Sequence, residues 1–168
     1  MAGAVLALAF LACRPASPGA PVDAGVPSAA RPASPAPIPL SLPPGWVVST
    51  GADGVLRASS PRGQPVLRAD VQRGVGLPTP ATLRTGFLGG LQHLRERSDS
   101  VTETARFIAM RFVLGEPDGG GPDTEALLCA TALGEDTLLC ASLRGATHEE
   151  LDVVQAACQD AATAPGRP

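Results

Sequence analysis

"RFIAMRFVL", residues 106–114, decides the fold. Ile108, Met110, Phe112 and Leu114 alternate onto one face, while Phe107, Ala109 and Val113 alternate onto the other. A strand apolar on both faces needs cover on both sides. "ALLCATAL" (126–133) and "TLLCASL" (137–143) share this character, and the "GE" between them at 134–135 has the length of a hairpin turn. The three segments predict the centre of an antiparallel sheet buried on both faces.

Working outward, Thr79-Pro80 predicts a helix start, a capping residue followed by proline at the first helical position. Leu83, Phe87, Leu91 and Leu94 recur at helical spacing, extending the predicted helix over 80–97, with Gly86, Gly89 and Gly90 weakening it. The polar stretch 99–103 follows. A second helix is predicted over 147–160, where Thr147 and Glu150 form a capping box ahead of an apolar face of Leu151, Val154 and Cys158.

Before the first helix, "IPLSL" (38–42) alternates apolar residues, and Pro39 limits it to an edge strand. "PPGW" turns the chain beside Trp46, a core filler. Strands are expected at 46–50, 55–59 and 65–72, separated by the turn-forming "GADG" and "SPRG". The order strands, helix, strands, helix predicts an α+β fold. Its mainly antiparallel sheet would carry helices on both faces, an α/β/α sandwich.

The chain has 168 residues, 44% hydrophobic and 17% charged, with a net charge of -3. This composition suits one globular domain without a basic stripe for nucleic acid. All 13 basic residues are Arg, and Lys, Asn and Tyr are absent. We read that bias as genome composition rather than anion recognition.

The N-terminal region has a different character. Ala4 to Ala12 is apolar and of signal-peptide length, and Cys13 follows directly. Residues 14–37 then hold seven prolines among Ala, Ser and Gly, a composition that cannot bury enough surface to order itself. Such a linker reaches roughly 30 Å as a coil and about 75 Å as polyproline II.

Phe10-Leu11-Ala12-Cys13 resembles the bacterial lipobox, with Phe10 where leucine is usual. The resemblance implies lipidation of Cys13 and cleavage before it. It also implies anchoring to the membrane on the periplasmic or surface face of the cell envelope. No Lys or Arg precedes Cys13, which fits a true start upstream of Met1. The expected organisation is a signal peptide at 1–12, a linker at 13–37, a globular domain at 38–161 and a disordered tail at 162–168.

The domain itself is similar to the PsbP-like and DcrB-like group of small α/β/α domains, many of them carried by bacterial lipoproteins. The residues bearing the likeness are "LSLPPGW" (40–46), the helix at 80–97, the hairpin "LLCATALGEDTLLCASL" and the terminal "THEELDVVQAAC". The group has no common catalytic constellation. The resemblance therefore implies a non-catalytic role, binding an envelope protein or small ligand, with no cofactor. An envelope enzyme and a structural accessory subunit are the competing readings.

Cys129, Cys140 and Cys158 remain for disulfides once Cys13 is set aside, and export favours oxidation. A two-residue turn at 134–135 sets Cys129 opposite Cys140 in a hydrogen-bonded pair, whose Cβ atoms are the more widely spaced kind. Cys158, facing inward, would then bridge one of them, whereas a four-residue turn would restore the 129–140 pairing.

No CxxC or HExxH spacing supports a metal site. His93, late on the first helix, and His148, in the first turn of the last, read as surface or boundary residues. "GEPDGGGPDTE" (115–125) gathers Glu116, Asp118, Asp123 and Glu125 without the ligand order of a calcium loop, and reads as a solvated hairpin loop.

Overall fold

The computed structural model describes residues 38, 40–91, 93–142 and 144–163. Seven strands form one sheet: β1 (Val47–Thr50), β2 (Leu56–Ser59), β3 (Pro65–Gln72), β4 (Arg95–Thr104), β5 (Phe107–Gly115), β6 (Thr124–Leu133) and β7 (Asp136–Ser142). Helix α1 (Pro80–Gly89) follows β3, and α2 (His148–Asp160) follows β7. The sheet order is β1-β2-β3-β7-β6-β5-β4, and every pairing is antiparallel. Two meanders, β1–β3 and β4–β7, are joined where β3 pairs with β7.

The helices lie on opposite faces, as the two-sided apolar pattern requires. Leu151, Val154 and Cys158 of α2 pack with Leu67, Phe107, Leu127, Leu138 and Cys140. Leu83 of α1 packs with Ile108, Met110, Phe112, Leu128 and Ala130, and Phe87 stacks on Phe112 with ring centroids 5.0 Å apart. Burying such side chains contributes about 1.5–3 kcal/mol each. In β3, Val66 and Leu67 are both fully buried, because a bulge lets the pairing step from Leu67 opposite Ala58 to Pro65 opposite Ser59.

Two segments depart from expectation. Helix α1 stops at Gly89 instead of running to 97, and residues 95–104 form β4. Leu91 and Leu94 still reach the α1-side core, but from an irregular segment. Their helical spacing is met by tertiary packing, not by continued helix, after Gly86, Gly89 and Gly90 weaken propagation. The expected "IPLSL" edge strand is also absent from the described residues there. Ile38, Leu40 and Leu42 instead pack on the α2-side core as irregular chain, and Pro39 offers no N–H to a ladder.

The expected caps form. The Thr79 side chain accepts from the Thr82 N–H with Pro80 at the helix start, and Thr147 and Glu150 make a complete capping box. Glu150 does a second job. Both its carboxylate oxygens accept from Arg62 on the β2–β3 turn, at 2.9 and 2.6 Å, while Oε2 also accepts from the Thr147 N–H at 2.8 Å. A bidentate guanidinium–carboxylate pair thus ties that turn to the start of α2.

The Arg62 hydrogen bonds hold the Glu150 carboxyl down at about 2, against an ordinary 4.5. Because the folded value is lowered, the stabilisation is complete above the ordinary value and is lost as pH falls from there through about 2. Glu150→Gln should cost roughly 1–3 kcal/mol at neutral pH. It should also flatten the acid limb of stability, which urea unfolding at stepped pH would measure. An acid limb as steep as in the unsubstituted protein would refute this role.

Candidate functional site

The β6–β7 hairpin turns in two residues. Gly134 takes φ 75°, Glu135 does not take a positive φ, and Leu133 stands opposite Asp136. This is the type II′ pattern, with glycine at the position that needs the left-handed region. Cys129 consequently faces Cys140 across the ladder, in the hydrogen-bonded phase. The disulfide joins Cys140 to Cys158, with Cα atoms 6.8 Å apart. Cys129 is left free and fully buried, and burial pushes its thiol up to about 12, with Arg111 acting weakly in the opposite direction. A thiol in that state is neither nucleophile nor ready metal ligand at neutral pH.

Cys158 has a further attachment. Its carbonyl, near the end of α2, accepts from the buried Thr131 hydroxyl at 2.7 Å, so a side chain of β6 satisfies a group the helix itself leaves open. These two links set the helix over β6 and β7 and fix where its N-terminus arrives.

At that N-terminus a cleft of about 190 Å³ opens between sheet and helix, lined by Ser98 and Ser100 of β4, Arg111 and Val113 of β5, Glu125 of β6 and His148 of α2. His148 Nδ1 lies 2.8 Å from Glu125 Oε2, and Nε2 lies 4.0 Å from Asp152 Oδ2. Arg111 donates to Asp152 at 2.5 Å and to Gln155 at 2.9 Å. His148 is exposed over 66% of its side chain. Here the charges are paired with one another and open to solvent, an arrangement suited to recognising a small polar group at the protein surface.

Arg111 escaped the sequence reading. Its signal was its place in "RFIAMRFVL", the one charged side chain on the face shared by Phe107, Ala109 and Val113. Asp152, exposed on α2, and the half-buried Gln155 carried no signal of their own.

His93 sits beyond α1 rather than on it, in a turn, and its Nε2 lies 2.7 Å from Arg144 Nη2. With Glu116 and Asp118 the pair lines a depression of about 380 Å³. The acidic loop joins β5 to β6 as expected, with Arg97 donating to the Glu116 carbonyl at 3.0 Å and standing 3.8 Å from Asp123. Among the described residues no group of three or more His, Cys, Asp or Glu side chains is placed to hold a metal ion, and no helix is long and apolar enough to cross a membrane. Cys13 and the segments expected to be a signal peptide (1–12) and a linker (13–37) lie outside the described residues.

Fold and cleft together define a class, an α+β sandwich on an antiparallel sheet with a solvent-open polar cleft at one helix start. No protein-family model and no curated protein sequence matches the chain.

Alkylation of the folded, unreduced protein should leave Cys129, Cys140 and Cys158 unmodified, and denaturant without reductant should expose Cys129 alone among the three. Peptide mapping by mass reads this directly, and labelling of Cys140 or Cys158 would refute the pairing. Cys158→Ser should destabilise by about 2–4 kcal/mol, as expected for opening a loop of this size.

Proposed function

We propose that the chain is a bacterial lipoprotein, anchored through Cys13, whose globular domain binds a protein partner or small ligand in the cell envelope without catalysing a reaction. The carrying observation is the sequential arrangement of an apolar leader ending at Cys13, a proline-rich segment at 14–37 and a domain closed internally by the Cys140–Cys158 disulfide. Each part has its own physical reason. Acyl chains on one cysteine anchor firmly because each buried methylene contributes about 0.8 kcal/mol. A proline-rich linker holds a domain away from the bilayer, and a disulfide persists in an oxidising compartment.

The cleft favours binding over catalysis. His148 is exposed and Glu125 only half-buried, whereas a working acid–base pair gains its force from a water-excluded site. Ser98 and Ser100 share the cleft with His148, but the nitrogen left free by Glu125 faces Asp152. The arrangement offers alternating positive and negative groups to a ligand of mixed polarity.

Intact mass of the mature protein from bacterial membranes, beside a Cys13→Ser variant, tests the anchor. We expect an N-terminus at Cys13 carrying added acyl mass, and a Cys13→Ser protein lost from the membrane fraction. A soluble, unacylated chain retaining Met1 would overturn the proposal.

A further inference from the structure

Ahead of β1 the chain covers part of the core as a strap. Ile38, Leu40, Leu42 and Trp46 pack on the α2-side core, each half-buried, while Ser41, Pro43, Pro44 and Gly45 between them are exposed. Among the described residues the strap makes main-chain hydrogen bonds only within itself, from the Leu40 N–H to the Ile38 carbonyl and from the Trp46 N–H to the Pro43 carbonyl. Pro39, Pro43 and Pro44 have no N–H to offer. Other members of that core are held by more. The strands have their ladders, and α2 has the Cys140–Cys158 disulfide and the Arg62–Glu150 pair. A segment held by half-buried side chains alone opens locally while the rest stays folded.

The hinge of the strap is seated separately. Gly45 takes φ 91° and lies so close to Pro61 on the β2–β3 turn that a Cβ would stand 3.3 Å from its ring. Pro61 adjoins Arg62, which Glu150 fixes. The surface under the strap is apolar. Helix α2 lies chiefly over β6 and β7, and on the same face Val48, Ala58 and Leu67 stand opposite one another across β1, β2 and β3. Ala58 and Leu67 are buried, but Val48 is 50% exposed. The cover stops short of the outer end of this row.

We propose that the seat of the strap is a docking site for a partner protein, which lays down in its place an extended segment with apolar side chains at alternate positions. This rests on the reading of the domain as a binder and gives that reading a protein partner. The strap itself shows the chemistry that fits, because Ile38, Leu40 and Leu42 are such an alternating run. The strap of a second copy is a poor occupant. It offers the same side chains as the chain's own strap, which is tethered beside the seat at far higher effective concentration. A partner segment that also covers Val48 buries apolar surface that the strap leaves in water. That difference favours the open strap when the partner binds.

The test uses the full chain with Cys13→Ser, so that no detergent competes for an apolar seat. The probe is the acetylated, amidated peptide PIPLSLP, residues 37–43, and Trp46, the only tryptophan, is the reporter. With Ile38→Ser, Leu40→Ser and Leu42→Ser together, Trp46 emission should shift to the red, and added peptide should shift it back. The seat is free only in the fraction of molecules whose strap is lifted, so the chain with its own strap intact should bind the peptide at least about tenfold more weakly. Leu40→Ala alone should fall between the two, and it carries the test if the triple variant does not fold. Equal binding by the strap-intact and Leu40→Ala chains, or binding by neither, overturns the proposal. Equal binding of the scrambled peptide PPILLSP does so too, since it marks a patch open to any apolar chain or lipid. Sedimentation of the triple variant mixed with the strap-intact chain should show monomers; a dimer between them makes a second copy the occupant and overturns the partner. Failure of the peptide to bind leaves anchoring through Cys13 standing, and absence of acylation leaves peptide binding unchanged.

Discussion

The closure of α2 onto the sheet at Cys158 is the constraint on which that face of the protein depends. The Cys140 sulfur holds the helix covalently to β7, and the Thr131 hydroxyl holds its Cys158 carbonyl to β6. With the C-terminal half fixed, helical geometry leaves little freedom at the other end. His148 arrives about fifteen ångströms away along the axis, beside Glu125, while Glu150 meets Arg62. The capping box, the ion pair and the cleft therefore share one placement.

The free cysteine belongs to the same arrangement. Cys129 and Cys140 occupy opposed positions, yet the turn at Gly134 sets the ladder phase that separates their Cβ atoms. The pairing is consequently chosen by a glycine remote from both sulfurs. The thiol left over fills core space as a small apolar side chain, a common role for buried cysteine.

Much of the central architecture was legible because its signals are redundant. In β5, β6 and β7 two apolar faces coincide, and in α2 the capping box agrees with the face of Leu151, Val154 and Cys158. β4 was not legible, because an exposed edge strand has no apolar face to reveal a period of two. "RERSDSVTET" carries only the local preference of Val101 and its threonines. The helix overran for the opposite reason, since Leu91 and Leu94 keep a helical spacing while packing as irregular chain. Of the cleft, His148 was placed correctly at the start of α2. Its partners Glu125 and Asp152 converge only through tertiary structure, and Arg111 was obscured by the apolar strand around it.

The sheet order also gives the domain a direction of mechanical weakness. Tension arriving along the chain from residue 38 first lifts Ile38, Leu40 and Leu42 off the α2-side core and then falls on β1, four residues held by a single ladder to β2. The other end of the domain is closed by a covalent bond between α2 and β7. Under load from its N-terminal side, the protein would peel from β1 inward, strand by strand. The helix, its ion pair with Arg62 released along the way, would remain fastened to the centre of the sheet.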